Sequence, residues 1–461
     1  MKRSTKVIIA IVLIACITWL SFSVLTSGCS TLTHIMKGSP IDDIFDACHA
    51  DVFGAGDQIY STVEIALPSH SAYTALGDKS AYASLTTDYQ RQAYRSIEES
   101  IFRVTYDGGG SHGRYQLSRA KIPALTSAEI FMVKEAVLSD HPEVFWVTGN
   151  YTLGSNMRDG NYIVLYSYYS YDDIITRART LEQKIAEALR SIPGGLSEFD
   201  RELAVHDYIV NNTEYDSDSV EFVDSFTDAS TSYGVFVNRK ALCSGYSYAA
   251  KLLLNRVGIP CSVIKGVSKG TGHMWNIVCI DGLWYHLDVT WDDPISITAE
   301  PVCSYDYFNL TDEFISHDHE IAGGYELLTS EVIASQDENS SNFYNFPREK
   351  CIWDKANFYT VFATSINELN SDYKSLIARQ MKECSLSGDT ALYYRFPETM
   401  DNAVIENWLD SALSSAMASS NKDARTDGGL RILRCSRVVR SEDSPQHWSK
   451  VYCVSLIFDS K

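Results

Sequence analysis

The sequence predicts an α+β protein whose central domain combines a cysteine-headed helix with paired strands, flanked by an N-terminal α+β domain and a small C-terminal α/β domain. Three observations lead there. Ser/Thr-x-x-Glu/Gln boxes open stretches with apolar residues at helical spacing. Asp-Gly and other Gly turns separate runs rich in Val, Ile, Trp and Tyr, which read as paired strands. A polar, acidic stretch at about 331–341 sets the last helices and strands apart.

At 461 residues the chain exceeds one ordinary core, so two or three domains are expected. Hydrophobic residues at 45% and aromatics at 12% exclude a disordered protein. The 28 tyrosines suit partly exposed β surfaces. A formal charge of -20 with no basic patch excludes nucleic acid as a partner, because phosphates would be repelled.

The first 28 residues read as an export signal. Lys2, Arg3 and Lys6 precede an apolar run at 7–25, and Leu25-Thr26-Ser27-Gly28-Cys29 follows. This resembles a bacterial lipoprotein signal, which implies lipidation of Cys29. Thr26 departs from the usual aliphatic residue, and the run is about long enough to span a bilayer. An uncleaved signal anchor is therefore the alternative. Either way, residues 30–461 are expected outside the cytoplasmic membrane and tethered to its outer face. Residues 29–57 then form a linker.

A first α+β domain is expected over 58–175. Thr87 and Gln90 form one capping box, before Ala93, Ile97 and Ile101. Thr126 and Glu129 form a second, before Ile130, Val133 and Val137. Pro142 ends that helix, and a strand starts near Phe145. His141 and Glu143 are read as a structural corner. Asp159-Gly160 marks a hairpin whose returning strand covers 162–171.

The central domain is expected over 176–325. Thr180 and Gln183 are read as opening a helix, and Ser197 as capping the next, which carries Val205, His206 and Ile209. Cys243 stands at the start of a helix with Tyr246, Ala249, Ala250, Leu253 and Leu254, closed by Gly258 and Pro260. A helix start favours a thiolate and offers unpaired N–H groups to an oxyanion. His273 follows Gly270-Thr271-Gly272 at a strand start. The Asp281-Gly282 turn brings the return strand back so that Asp288 lies near His273. Cysteine nucleophile, histidine base and orienting aspartate are the parts of an activated thiol. Asp292 and Asp293 compete with Asp288, but they precede Pro294 and read as turn residues.

The stretches Ala241-Leu242-Cys243-Ser244-Gly245-Tyr246, Gly272-His273-Met274-Trp275-Asn276 and Trp284-Tyr285-His286-Leu287-Asp288-Val289-Thr290-Trp291-Asp292-Asp293-Pro294 resemble the transglutaminase-like superfamily of papain-like thiol enzymes. His206-Asp207-Tyr208-Ile209, Tyr215-Asp216 and the segment from Tyr307-Phe308 to His319 extend the resemblance to about 197–320. It implies Cys243, His273 and Asp288 as a catalytic triad, in a transglutaminase-like core whose Cys helix packs on an antiparallel sheet. Tissue transglutaminases place a Trp upstream of the Cys at the oxyanion site, and papain-like proteases a Gln. Here no Trp lies between Gly149 and Cys243, and Val237 and Asn238 stand where the Gln would be. Tyr233 is the candidate for that role, with a buried structural Tyr as the alternative. Trp275 is a candidate lining residue, or else core.

Beyond a linker at 326–355, a C-terminal domain is expected over 356–461. Ser365 is read as opening a helix, 391–396 as a strand, 403–417 as a helix, 424–429 as a turn, and the last two runs as strands. Eleven cysteines include no CxxC pair, so neither a metal site nor a cofactor is expected. A hairpin loop over 268–272 would place Cys261 opposite Cys279, as buried thiols or a disulfide. The expected function is an extracytoplasmic enzyme that forms a Cys243 thioester from a protein or peptide amide and passes the acyl group to water or an amine. The alternative is a surface binding or assembly protein that keeps the fold without turnover.

Overall fold

The computed structural model describes residues 62–64, 79–105, 115–158, 160–222, 227–293, 304–321, 349–427, 429–439 and 449–459. The signal segment, Cys29, the 29–57 linker and the 108–110 glycine loop lie outside them, as does most of the 326–355 linker. Among the described residues no helix is long and apolar enough to cross a membrane.

Both early capping boxes form. In α1 (Asp88–Ile101) Thr87 Oγ1 accepts from the Gln90 N–H while Gln90 Oε1 accepts from the Thr87 N–H. In α2 (Ser127–Asp140) Thr126 and Glu129 repeat the exchange. Each satisfies N–H groups that a helix start leaves unpaired. Strands β1 (Val147–Asn156) and β2 (Gly160–Ser167) make the expected hairpin. Helix α3 (Tyr171–Ser191) starts well before Thr180. Ser170 Oγ accepts from the Asp173 N–H, and this cap wins. The Thr180 hydroxyl instead donates back to the Thr176 carbonyl.

Helices α4 (Glu198–Asn212) and α5 (Cys243–Arg256) form as their patterns predict. A five-stranded antiparallel sheet follows from β3 (Cys261–Ser268), β4 (Thr271–Ile280), β5 (Leu283–Leu287), β6 (Phe308–Leu310) and β7 (His319–Ile321). Its order is β6-β5-β4-β3-β7. Asp281 (φ 50°) and Gly282 (φ 78°) form a two-residue turn with positive φ at both positions, which matches strand twist.

The β3–β4 turn is shorter than expected. Lys269 (φ 48°) and Gly270 (φ 81°) alone connect Ser268 to Thr271. The register therefore shifts by one. Gly266, not Val267, faces His273, and Cys261 faces Val278, not Cys279. A one-residue slip turns side chains to opposite faces, so Cys261 and Cys279 do not form a cross-strand pair.

One buried apolar cluster runs from α1 and α2 through α3 and α5 to one face of the sheet, where Val278, Ile280, Tyr285 and Leu287 contribute. On the other face Ile264, Trp275 and Ile277 pack around Cys351. A separate core joins α6 (Ser371–Ser387), α7 (Asn402–Asp427), β8 (Ala391–Pro397), β9 (Ile432–Val439) and β10 (Ser449–Phe458). Two expectations change here. Asn370, not Ser365, caps α6, since its side chain accepts from the Asp372 and Tyr373 N–H groups. Helix α7 also runs through residues 424–427, which were read as a turn.

Candidate active site

Cys243 is the first residue of α5 and is half-buried. Its N-cap is Leu242, which makes no side-chain cap. The N–H groups of the first turn are therefore not consumed by a capping side chain. Gly245 brings the preceding loop close, because a Cβ there would sit 2.3 Å from the Ala229 carbonyl oxygen. Asn276 of β4 donates to the Ser247 carbonyl of α5 at 3.0 Å, which ties the His273 strand to the Cys243 helix.

His273 Nε2–H donates to Asp288 Oδ2 at 2.6 Å. Burial disfavours the His273 cation, but the Asp288 carboxylate and, to a lesser extent, Cys243 outweigh it and push its pKa up to about 10. With Nε2 on Asp288, Nδ1 is the nitrogen left for the thiol. Asp288 is wholly buried. Burial alone would raise its pKa, yet the two imidazoles His273 and His319 hold it well below the usual carboxylate range. Its Oδ1 accepts from the N–H groups of Thr290 (3.0 Å) and Trp291 (3.2 Å), so it also caps the turn that follows β5.

His319 completes the group. Its Nε2–H donates to the same Asp288 Oδ2 at 3.0 Å, and its Nδ1–H donates to Asp318 Oδ1 at 2.6 Å. Asp318 Oδ2 accepts from the Tyr307 hydroxyl at 2.5 Å. The sequence reading had taken His319 only as the end of a matching segment.

Two candidate residues move. Tyr233 is buried against Phe145 (4.9 Å between centroids) and beneath the Arg177 guanidinium (4.0 Å), the setting of the buried structural Tyr that was the alternative. Trp275 is fully buried and stacks on His273 at 5.9 Å and 16°, with its Nε1–H on His286 Nδ1. It is a floor beneath the imidazole, not the wall of an open cleft. His141 lies between Glu143 and Glu98 (2.9 Å to each), in keeping with a structural corner.

Other residues emerge. Asp292 is wholly buried rather than an exposed turn residue, with Oδ2 facing His206 Nε2 at 3.2 Å and Oδ1 accepting from the Tyr307 N–H. Burial raises its carboxyl to about 6, although His206 opposes the shift. Asp293 accepts from the Tyr246 hydroxyl at 2.5 Å. Tyr215 pairs with Ala241, two residues before Cys243. Burial raises its hydroxyl pKa, and nearby Cys243 and Asp288 raise it further. The Tyr215-Asp216 pair was the visible signal for it.

Among the described residues, two sets place three ligand-type atoms within 4.8 Å: His273, Asp288 and His319, and His286, Asp312 and Cys351. In the first, protons on both imidazoles fill the positions facing Asp288. In the second, the Trp275 N–H makes His286 Nδ1 an acceptor, which puts the ring proton on Nε2 toward Asp312 Oδ1. The first set shares protons across Asp288, and in the second His286 and Asp312 share one.

Residues 185–289 match the transglutaminase-like superfamily. Kyphoscoliosis peptidase of Mus musculus is 26% identical over 170 residues, covering 32% of this chain and 25% of that protein. The Homo sapiens protein of the same name is 24% identical over 196 residues, covering 38% and 29%. The matches thus span little more than a quarter of those relatives. A crystal structure of a TGase is similar at 19% identity, over 44% of this chain and 60% of that one, with a TM-score of 0.22. The chain therefore contains a transglutaminase-like domain, at residues 185–289, and Cys243, His273 and Asp288 all fall within it.

Proposed function

We propose that this domain is a thiol acyl-transfer enzyme acting on protein or peptide amides. The supporting observation is His273, which is held by Asp288 through Nε2 at 2.6 Å and whose cation both Asp288 and Cys243 favour. An imidazole whose cation is favoured beside a thiol suits a thiolate–imidazolium pair.

In the proposed reaction the Cys243 thiolate attacks the amide carbonyl carbon. The oxyanion that forms faces the first-turn N–H groups of α5. As the C–N bond breaks, His273 gives its Nδ1 proton to the departing nitrogen, leaving a Cys243 thioester. His273 then takes a proton from an incoming water or amine, which attacks the thioester carbonyl. Cys243 leaves as thiolate, and the product is an acid or a new amide. Asp288 keeps the imidazole oriented throughout.

The proposal includes the location expected from the N-terminal segment: outside the cytoplasmic membrane, tethered through a Cys29 lipid or an uncleaved anchor. Substrates would be proteins or peptides met there. The test is mass spectrometry of casein incubated with the full chain and a primary amine such as monodansylcadaverine. Cleavage, deamidation or amine incorporation that disappears in Cys243→Ala is the expected result. Activity unchanged in that variant, or none in the wild type, would return the domain to the binding-protein reading.

A further inference from the structure

His319 is a buried ionisable group, in contact with Asp288, that the mechanism above does not use. It sits on β7 at the sheet edge, paired with Ser268, and both its nitrogens meet carboxylate oxygens. A carboxylate only accepts, so each nitrogen must carry a proton and the ring is an imidazolium. Burial opposes that charge, and the hydrogen bonds to Asp288 and Asp318 restore it. Asp318 is itself held ionised against its burial by His319 and Tyr307.

The seat for this ring is built. Gly266 of β3 lies so close to β7 that a Cβ there would be 2.2 Å from the Glu320 carbonyl oxygen and 2.8 Å from the Trp275 ring. Any larger residue would push β7, and His319 with it, away from Asp288. Trp275 (5.0 Å) and Tyr307 (5.5 Å) enclose the ring, so little water screens it. Other charged and titratable groups lie close to this cluster. His273 lies 5.3 Å from His319, with Cys243 beyond it. Lys269 acts on Asp318, Asp292 on Tyr307, and Tyr215 lies near Asp288.

We infer that His319, kept charged by Asp318, is a positioning residue that fixes the Asp288 carboxylate and limits the negative charge it presents to His273. The inference deepens the thiol-enzyme reading and rests on it for the role of His273. Asp288 Oδ2 is shared between two imidazole N–H groups while Oδ1 is held by two backbone N–H groups, so the carboxylate has no freedom to rotate. The second cation also repels the first. Without it, Asp288 would hold the His273 proton more tightly and His273 would titrate higher, a smaller effect on turnover than losing the donor that fixes the carboxylate.

The experiment compares full-length wild type with His319→Gln, His319→Ala and Asp318→Asn by histidine NMR titration and by the pH profile of kcat/KM. Gln keeps an N–H toward Asp288 but carries no charge. His319→Gln and Asp318→Asn are each expected to move the His273 titration up by roughly half to one pH unit. His319→Ala, which also removes the donor, is expected to lower kcat by about 10–100-fold at unchanged KM, with most activity returning in the Gln variant. If His319→Ala does not fold, the other two variants carry the test. A His273 titration that stays put or falls in both His319→Gln and Asp318→Asn overturns the inference, whether or not turnover survives. Failure of the thiol-enzyme reading is separate: turnover surviving in Cys243→Ala would sink that reading, while the NMR titration still reports on His319.

Discussion

Gly245 lies against the backbone of Ala229 so closely that any Cβ at residue 245 would be 2.3 Å from the Ala229 carbonyl oxygen. The same atom would be 3.0 Å from the Thr231 oxygen and 2.9 Å from the Ala241 Cβ. Two of those neighbours are backbone, so relief requires moving the loop that leads into Cys243. Gly245→Ala is expected to destabilise the chain by about 1–3 kcal/mol in denaturant unfolding. Gly194→Ala, where nothing lies within 4 Å, serves as the control and should stay within about 0.5 kcal/mol. Equal midpoints for the two variants would show that the loop yields freely.

Asp288→Asn tests the orienting carboxylate. The amide is nearly isosteric, but its NH2 would face imidazole N–H groups or the turn N–H groups that Asp288 now accepts from. Donor would meet donor, and the His273 tautomer would reverse. Turnover is expected to fall by about 10²–10⁴-fold with the far-UV spectrum preserved. Loss of less than about tenfold would leave Asp288 as a turn cap only.

The same pair predicts how stability varies with pH. His273 is raised from 6.5 to about 10, so its contribution is complete below 6.5 and is lost as pH rises toward 10. Asp288 is lowered, so its contribution is present above the ordinary carboxylate value of about 3.9 and is lost as pH falls toward its depressed folded value. The pair therefore stabilises most between about pH 4 and 6.5. Wild-type Tm should drop from about pH 6 to about pH 9.5 by more than that of Asp288→Asn. Parallel curves for the two proteins would contradict the linkage.

Much of the site was readable because its signals are local. The Thr87 and Thr126 boxes, the Asp281-Gly282 turn and the run after Cys243 each fix a structure within a few residues. The β3–β4 register was not, because it depends on Lys269 adopting φ 48°, a conformation its side chain does not advertise. His319 was missed as a partner because it meets Asp288 across 31 residues, through pairing of β7 with the far edge of β3. Asp292 carries an ordinary turn signature before Pro294. Only the packing of α4, which brings His206 over it, makes it a buried partner. The missing oxyanion side chain also depends on long-range placement. Tyr233 has suitable chemistry and spacing, yet Arg177 and Phe145 of earlier segments claim its ring.

Glu202 gives the last prediction. It lies on α4, is wholly buried, and accepts from Asn309 Nδ2 at 2.7 Å. Burial raises its carboxyl to about 8, and neither Asn309 nor His206 offsets that fully. At neutral pH the folded chain therefore holds a proton that the unfolded chain, with a carboxyl near 4.3, has released. For a raised carboxyl the folded state binds more protons, so stability falls as pH climbs from about 4.3 to about 8. Glu202→Gln keeps an acceptor for Asn309 and has no proton to lose. It should abolish this slope and unfold later than wild type at about pH 8, by on the order of a few kcal/mol. The Asn309 contact decides how cleanly the comparison reads, because Asn309 adopts φ 57° and also donates to the Ala356 carbonyl. An Asn309→Gly control keeps that backbone conformation accessible while removing the amide. Were the slope in Glu202→Gln to match wild type between about pH 5 and 8, Glu202 would be ionised in the folded state. Its buried charge would then have to be balanced by its surroundings, where His206 favours the ionised form.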